Sequence, residues 1–431
     1  MKRWMVLYAL VGGCSSSPAE RGPSPAQVYG PPPGRTEAVP RQELKELTLD
    51  GALALAEQAH PDLAAARARI EAADGRIHQA GLLPNPEFVA RMESAPFKGG
   101  TTDQAEYPVG VSQRLAVGGR LGAAVRVEEL ERERLRRDLE VRRIEVRGRI
   151  HGAFAAALHL EEARKIQEDS LRIAENGAAV TRARQAAGDA LPEEVARAEM
   201  EQIRVRLDLE RIRSLRGQSA AALTAALGDS SLRIESVQGT LEMTLEIPTL
   251  ETIQDSVGRH PAFGSAEADV AAQRARIELA EAQRIPDVTL DLFYRRLQHS
   301  EDNSFDVGVT IPLPVFDRNQ GRLREARADT SAAEARLRSA RNELLRELRQ
   351  AHGRLASALG AARTLKDEIL PRAETVLKGA ETRYAAGDLS LPDLIPIRRD
   401  RGSLQLTYLE SLREVMEAWS ELKPFLETPV R

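Results

Sequence analysis

Apolar positions recur along this sequence with two different periods. In the second half, Val288, Leu290, Leu292 and Tyr294 alternate with Thr289, Asp291, Phe293 and Arg295. After the polar stretch 298–304, Phe305, Val307, Val309, Ile311 and Leu313 alternate with Asp306, Gly308, Thr310 and Pro312. Period two with one apolar face predicts a pair of half-buried strands joined by a loop. The first half carries a weaker version. Phe88, Ala90 and Met92 alternate with Val89, Arg91 and Glu93, and Tyr107, Val109 and Val111 with Pro108, Gly110 and Ser112. The rest of the chain has the other period. No proline falls in 120–187 or 321–370. In the latter stretch Leu337, Leu344, Leu348, Ala351, Leu355, Ala358, Ala362, Leu365 and Ile369 trace a coiled-coil seam. A helix over 120–187 would be on the order of 100 Å long at ~1.5 Å per residue. Shorter helices predicted near 49–82 and 191–227 could stack end to end beside it, with Thr48 or Asp50 as the first N-cap.

The pattern occurs twice. His60-Pro61 returns as His260-Pro261, Pro86 as Pro286, and Val109-Gly110-Val111 as Val307-Gly308-Val309. Ala186-Ala187-Gly188-Asp189 returns as Ala385-Ala386-Gly387-Asp388, and Leu191-Pro192 as Leu391-Pro392. The common offset of roughly 200 residues is too long for a solenoid unit, so each copy is half of the protein. Each half reads helix, strand, strand, very long helix, turn, helix.

Composition sharpens this picture. The 431 residues carry a formal net charge of −4, and only 4% are aromatic. That excludes bulk electrostatic attraction to nucleic acid and fits long helices better than a mixed α/β enzyme. Aromatic residues gather in and beside the two hairpins: Phe88, Phe97, Tyr107, Phe293, Tyr294, Phe305 and Phe316. Such clustering suits the interfaces of a transmembrane barrel. The strands have about the 10 residues that a tilted strand needs to cross hydrocarbon. No stretch approaches the roughly 20 apolar residues of a spanning helix, so a crossing requires a closed barrel. Four strands cannot close one, and other copies must complete it. Counting alone allows two, three or four copies.

The single cysteine, Cys14, follows a basic start (Met1-Lys2-Arg3), a short apolar run from Trp4 to Val11, and Gly12-Gly13. This context resembles a lipoprotein signal in which Cys14 would be acylated, and Ser15 after it fits outer-membrane sorting. Residues 15–45, rich in Pro, Gly and Ser, read as a tether. No catalytic array, phosphate loop or dinucleotide fingerprint is present, and the seven histidines are scattered. His60 and His260 precede prolines at equivalent helix starts and read as caps. No enzyme activity, cofactor or metal site is expected.

The motifs Leu49-Asp50-Gly51-Ala52-Leu53, Gln79-Ala80-Gly81-Leu82-Leu83-Pro84-Asn85-Pro86-Glu87, Gly110-Val111-Ser112-Gln113 and Arg383-Tyr384-Ala385-Ala386-Gly387 occur in order. Through them the sequence resembles the TolC-like outer-membrane efflux proteins over nearly all of 46–427. Leu115-Ala116-Val117-Gly118-Gly119-Arg120 adds a likeness to their heavy-metal (CzcC/CusC-like) branch. The resemblance implies a mainly α fold with a small transmembrane β part. Two tandem helical repeats would form a trimeric α-helical periplasmic barrel, under a 12-stranded outer-membrane β-barrel with four strands per protomer. It divides the chain into a signal (1–13), a lipidated tether (14–45), a first repeat (46–230, hairpin about 86–116), a linker (231–247) and a second repeat (248–427, hairpin about 286–314). Its implied partners are two sister copies, outer-membrane lipid, a periplasmic adaptor and an inner-membrane pump of the resistance-nodulation-division type. Its closed tip maps to the turns at 188–194 and 387–393. Asp393 matches one gating acid, whereas the second would fall on Pro396. Gly188, Asp189, Gly387, Asp388 and Tyr384 complete the gate candidates, and Val288, Leu290, Leu292, Val307, Val309 and Ile311 the lipid-facing ones. The competing readings are a lipid-anchored periplasmic coiled-coil scaffold or adaptor, and a type I secretion duct.

Overall fold

The computed structural model describes residues 43–93, 106–243, 245–297 and 302–426. Cys14, Phe97, the expected signal and nearly all of the expected tether lie outside these residues. In chain order the elements are β1 (Glu43–Thr48), α1 (Leu49–Ala59), α2 (Pro61–Ala80), β2 (Glu87–Ala90), β3 (Glu106–Leu115), α3 (Arg120–Ala186), α4 (Pro192–Leu227), β4 (Arg233–Gln238) and α5 (Leu250–Gln254). A 3₁₀ turn (Asp255–Arg259) follows, then α6 (Pro261–Ala282), β5 (Val288–Leu297), β6 (Asn303–Thr310), α7 (Gln320–Arg363), a π-helical turn (Thr364–Ile369), α8 (Leu370–Ala386) and α9 (Leu391–Leu426).

α3 is one helix of 67 residues and forms the spine, with α2, α4, α6 and α9 packed along it. Its counterpart in the second half, α7 through α8, is as long but is not uniform. Pro371 has no N–H to give the preceding turn, and its ring would crowd the carbonyl four residues back. The chain widens into the π turn at 364–369 and then resumes as α-helix. The helix therefore passes through Pro371 rather than ending near residue 370. The seam is buried from Leu344 to Leu365, while Leu337 and Ile369 at its two ends are half-buried.

The expected helix over 49–82 is two helices. Thr48 caps the first, its Oγ1 accepting from the Gly51 N–H at 3.2 Å. His60 breaks the run because the residue before a proline is driven out of the helical region. Its Nδ1 then accepts from the Asp62 N–H at 3.1 Å, and His260 Nδ1 accepts from the Ala262 N–H at 3.2 Å. Both imidazoles are buried N-caps, 200 positions apart in the sequence.

Two further differences come from β1 and β4. The last residues read as tether, with the first of the expected repeat, pair with residues read as linker in a parallel two-stranded sheet, with Leu44 opposite Ile234 and Leu47 opposite Val237. The main core lies at this level of the molecule. Phe154 and Leu158 of α3, Leu223 of α4, Leu348 and Leu355 of α7, and Leu422 of α9 are all essentially inaccessible there.

The second sheet has the order β2-β3-β5-β6, antiparallel throughout. Its central pairing, β3 with β5, joins the two halves along ten residue pairs from Glu106–Leu297 to Leu115–Val288. Strand β6 ends at Thr310, so Ile311 and Leu313 lie beyond it. Pro312 and Pro314 have no N–H for a ladder, which ends the pairing. The long helices leave the sheet through matched junctions. Gly119 and Asn319, again 200 positions apart, hold left-handed conformations (φ 75° and 58°) as the N-caps of α3 and α7. Asn319 Nδ2 donates to the Ala280 carbonyl at 2.7 Å, and Arg120 grips Asp287 through two hydrogen bonds of 2.9 and 3.3 Å.

Candidate functional site

The β2-β3-β5-β6 sheet has two chemically opposite faces, because side chains alternate across it and the registers keep like with like. Phe88, Val111, Leu292 and Val307 form one row across four strands. Ala90, Val109, Tyr294 and Phe305 form the next, and Gln113, Leu290 and Val309 the one after. Tyr294 meets Phe305 edge-on at 5.6 Å between ring centroids. Among the described residues nothing covers this face: Leu292 is 55% and Val307 79% exposed. Leu290, Val309 and Ile311 are exposed as well, while Val288, at the end nearest the helices, is half-buried. An exposed apolar surface spanning four strands is an interaction surface, since soluble monomers rarely present one. Strands β2 and β6 are its open edges.

The opposite face is polar. Arg295 Nε donates to Asp306 Oδ2 at 2.7 Å. Its Nη1 donates to Glu106 and lies 3.6 Å from Glu93 Oε2. Arg91 stands over the Phe293 ring, 5.7 Å from its centroid. Phe293 comes this close to β3 because its partner is Gly110. A Cβ at 110 would lie 2.1 Å from the Leu292 carbonyl oxygen and 2.5 Å from the Phe293 ring.

Far from the sheet, the helices turn at two tips of the same construction. Gly188 (φ 88°) donates to the Gln185 carbonyl and Asp189 N–H to Arg184. Gly387 (φ 85°) donates to Tyr384 and Asp388 N–H to Arg383. Each pair is a Schellman motif, which satisfies the last helical carbonyls and needs a left-handed residue that glycine supplies without strain. Asp189 and Asp388 thus hold turn positions with exposed side chains. Asp393 sits in the first turn of α9, exposed, and accepts a 2.6 Å hydrogen bond from the Ser390 hydroxyl. Its charge also faces the positive end of the helix. Tyr384 is half-buried against a small cluster of Ala178, Ala198, Ala380, Leu391 and Leu394 that joins the two tips. Arg399 of α9 pairs with Glu201 of α4 beside it. A cavity of about 490 Å³ between the two helical hairpins borders this cluster. The structure therefore brings the gate candidates to two neighbouring turns of one protomer.

Motif spacing could not reveal the group around Arg295, because its members come from three strands. The sequence signal was the charged residues that fall on the polar parity of each strand. Among the described residues no group of three or more potential metal ligands forms, and no helix is long and apolar enough to cross a membrane.

Comparison with known proteins places this architecture in a class. Residues 52–229 and 252–423, one segment in each half, match the family described as outer membrane efflux protein. The chain belongs to that family, and it is an outer-membrane efflux component rather than an enzyme. Among its relatives is the cobalt-zinc-cadmium resistance protein CzcC of Cupriavidus metallidurans, 29% identical over 88% of this chain and 90% of that one. Another is the nickel-cobalt-cadmium resistance protein NccC of Alcaligenes xylosoxydans, 26% identical over 68% and 66%. The crystal structure of the outer-membrane protein VceC from Vibrio cholerae superposes with a TM-score of 0.71 at 20% identity, over 88% of this chain and 95% of that one. It shares the fold.

Proposed function

We propose that three copies assemble into one duct through the outer membrane. The observation that carries this is the four-stranded sheet with a bare apolar face and two open edges. Backbone groups on an edge cannot be left unpaired in hydrocarbon. Pairing β6 of one copy with β2 of the next removes every edge when the ring closes, and three copies give twelve strands. The apolar face, with Val288, Leu290, Leu292, Val307 and Val309, then meets lipid, and Ile311 sits just below at the junction with the helices. The polar face lines the lumen. The helices continue the duct into the periplasm and end at the tips carrying Gly188, Asp189, Tyr384, Gly387, Asp388 and Asp393, the last supplying a threefold carboxylate ring. Acylation of Cys14 would add a lipid anchor.

In this reading a periplasmic adaptor and an inner-membrane pump, of the resistance-nodulation-division type, deliver cargo to the tip. The metal-resistance relatives favour divalent cations as that cargo. A passive duct needs no cofactor.

The test is the assembly itself. The full chain, extracted in detergent from outer membranes, should run as a trimer by light scattering and give single-channel steps in planar bilayers. A monomer that dissolves without detergent once its acyl chains are removed would overturn the reading.

A further inference from the structure

The polar face of the sheet holds an arrangement that duct-building alone does not require. Three carboxylates converge on one guanidinium near the end of the sheet remote from the helices. Asp306 comes from β6, Glu106 from β3, and Glu93 from the residues after β2, where it forms an isolated bridge to Glu106. The two halves of the chain contribute to the same group. All four side chains remain partly solvent-accessible, between 24% and 41%. Ion pairs this exposed contribute little to stability. Their charges, however, act on whatever passes the wall.

We propose that Arg295 sets the ion preference of the barrel lumen, as the counter-charge that offsets these three carboxylates. The inference rests on the duct reading above, which turns this face inward. Together with Arg91, these four side chains carry one net negative charge per chain. Arg91 cannot take over from Arg295, because it stands on the Phe293 ring rather than among the carboxylates. Removing the Arg295 charge doubles the net negative charge of this group, and threefold symmetry would repeat the change around the lumen. A ring of fixed charge on a low-dielectric wall raises the local concentration of counter-ions. Its reach is the screening length, ~30 Å at 0.01 M salt but only ~3 Å at 1 M. The effect should therefore be large in dilute salt and vanish in concentrated salt, which a change in pore shape would not do.

The experiment uses the trimeric full chain in planar bilayers under a KCl gradient with a dilute side near 0.01 M. Arg295→Gln should raise the potassium-over-chloride permeability ratio about twofold or more, and the difference should disappear at 1 M. Arg295→Lys should keep the parental ratio. The double variant Glu106→Gln/Asp306→Asn should move the ratio the other way, which provides a second reading if Arg295→Gln assembles poorly. Channels whose ion preference is indifferent both to residue 295 and to the double variant would overturn this proposal alone. Absence of any channel from the unmodified protein would overturn it together with the duct.

Discussion

At the scale of single residues, two groups have roles that chemistry makes testable. Asp393 lies in the first turn of α9 and accepts from the Ser390 hydroxyl, so it is both a helix-end residue and one of the charges at the tip. In the proposed trimer, where Asp393 would form a ring of three carboxylates, Asp393→Ala should raise single-channel conductance in a planar bilayer. Loss of the cap interaction should cost only about 0.5–1 kcal/mol per chain. Unchanged conductance would assign Asp393 to helix capping only. His260 gives a pH dependence. Burial holds its pKa down, from the ordinary 6.5 to about 4, and its Nδ1 must stay unprotonated to accept from Ala262. The unfolded chain takes up the proton that the folded chain refuses. The stability this contributes is therefore complete above pH 6.5 and is lost as pH falls toward 4. The loss should be of order 3 kcal/mol. Denaturant melts at neutral and acid pH should show it, and His260→Asn, which keeps a neutral cap, should flatten the slope.

At the scale of elements, the seam of α7 could be read directly, because burial on a helix returns every three or four positions and Leu344, Leu348, Leu355 and Leu365 keep that spacing. The apolar parity of β5 and β6 could be read for the same reason. Other features were hidden by their dependence on distant partners. The β1–β4 pair joins segments some 190 positions apart, the end of the expected tether with the start of the first repeat on one side and the expected linker on the other, and only the pairing gives them structure. The wide turn at 364–369 follows from a proline that a long seam overrides instead of obeying. Gly110 was visible as a small residue in a strand, but its reason is the Phe293 ring on the neighbouring strand. Gly110→Ala should therefore disrupt the β3–β5 ladder, at a cost of roughly 1–3 kcal/mol from overpacking. The expected readout is a reduced yield of the detergent-stable assembly while the helical circular dichroism signal is preserved. An unchanged yield would mean the ladder shifts to make room.

At the scale of the whole molecule, duplication explains why so few kinds of device recur. Imidazole caps at 60 and 260, left-handed residues at 119 and 319, and Schellman tips at 188 and 387 all come in pairs. The repeat was legible because turns and caps constrain residue type strongly. The site was legible only in part. The tip residues carry such constraints, whereas the Arg295 group needs two strands 189 positions apart to be side by side before it exists.

The β3–β5 ladder has a mechanical consequence. It welds the two halves along ten residue pairs at one extremity. At the other they meet in a small cluster of alanine and leucine side chains with Tyr384 against it, and in the Arg399–Glu201 contact, beside an open void. Each protomer is thus built like tweezers, stiff at the crown and compliant at the points. A disturbance applied at the points separates them most there and dies away toward the crown, so in the proposed duct the wall within the lipid would stay sealed while the far aperture changed size.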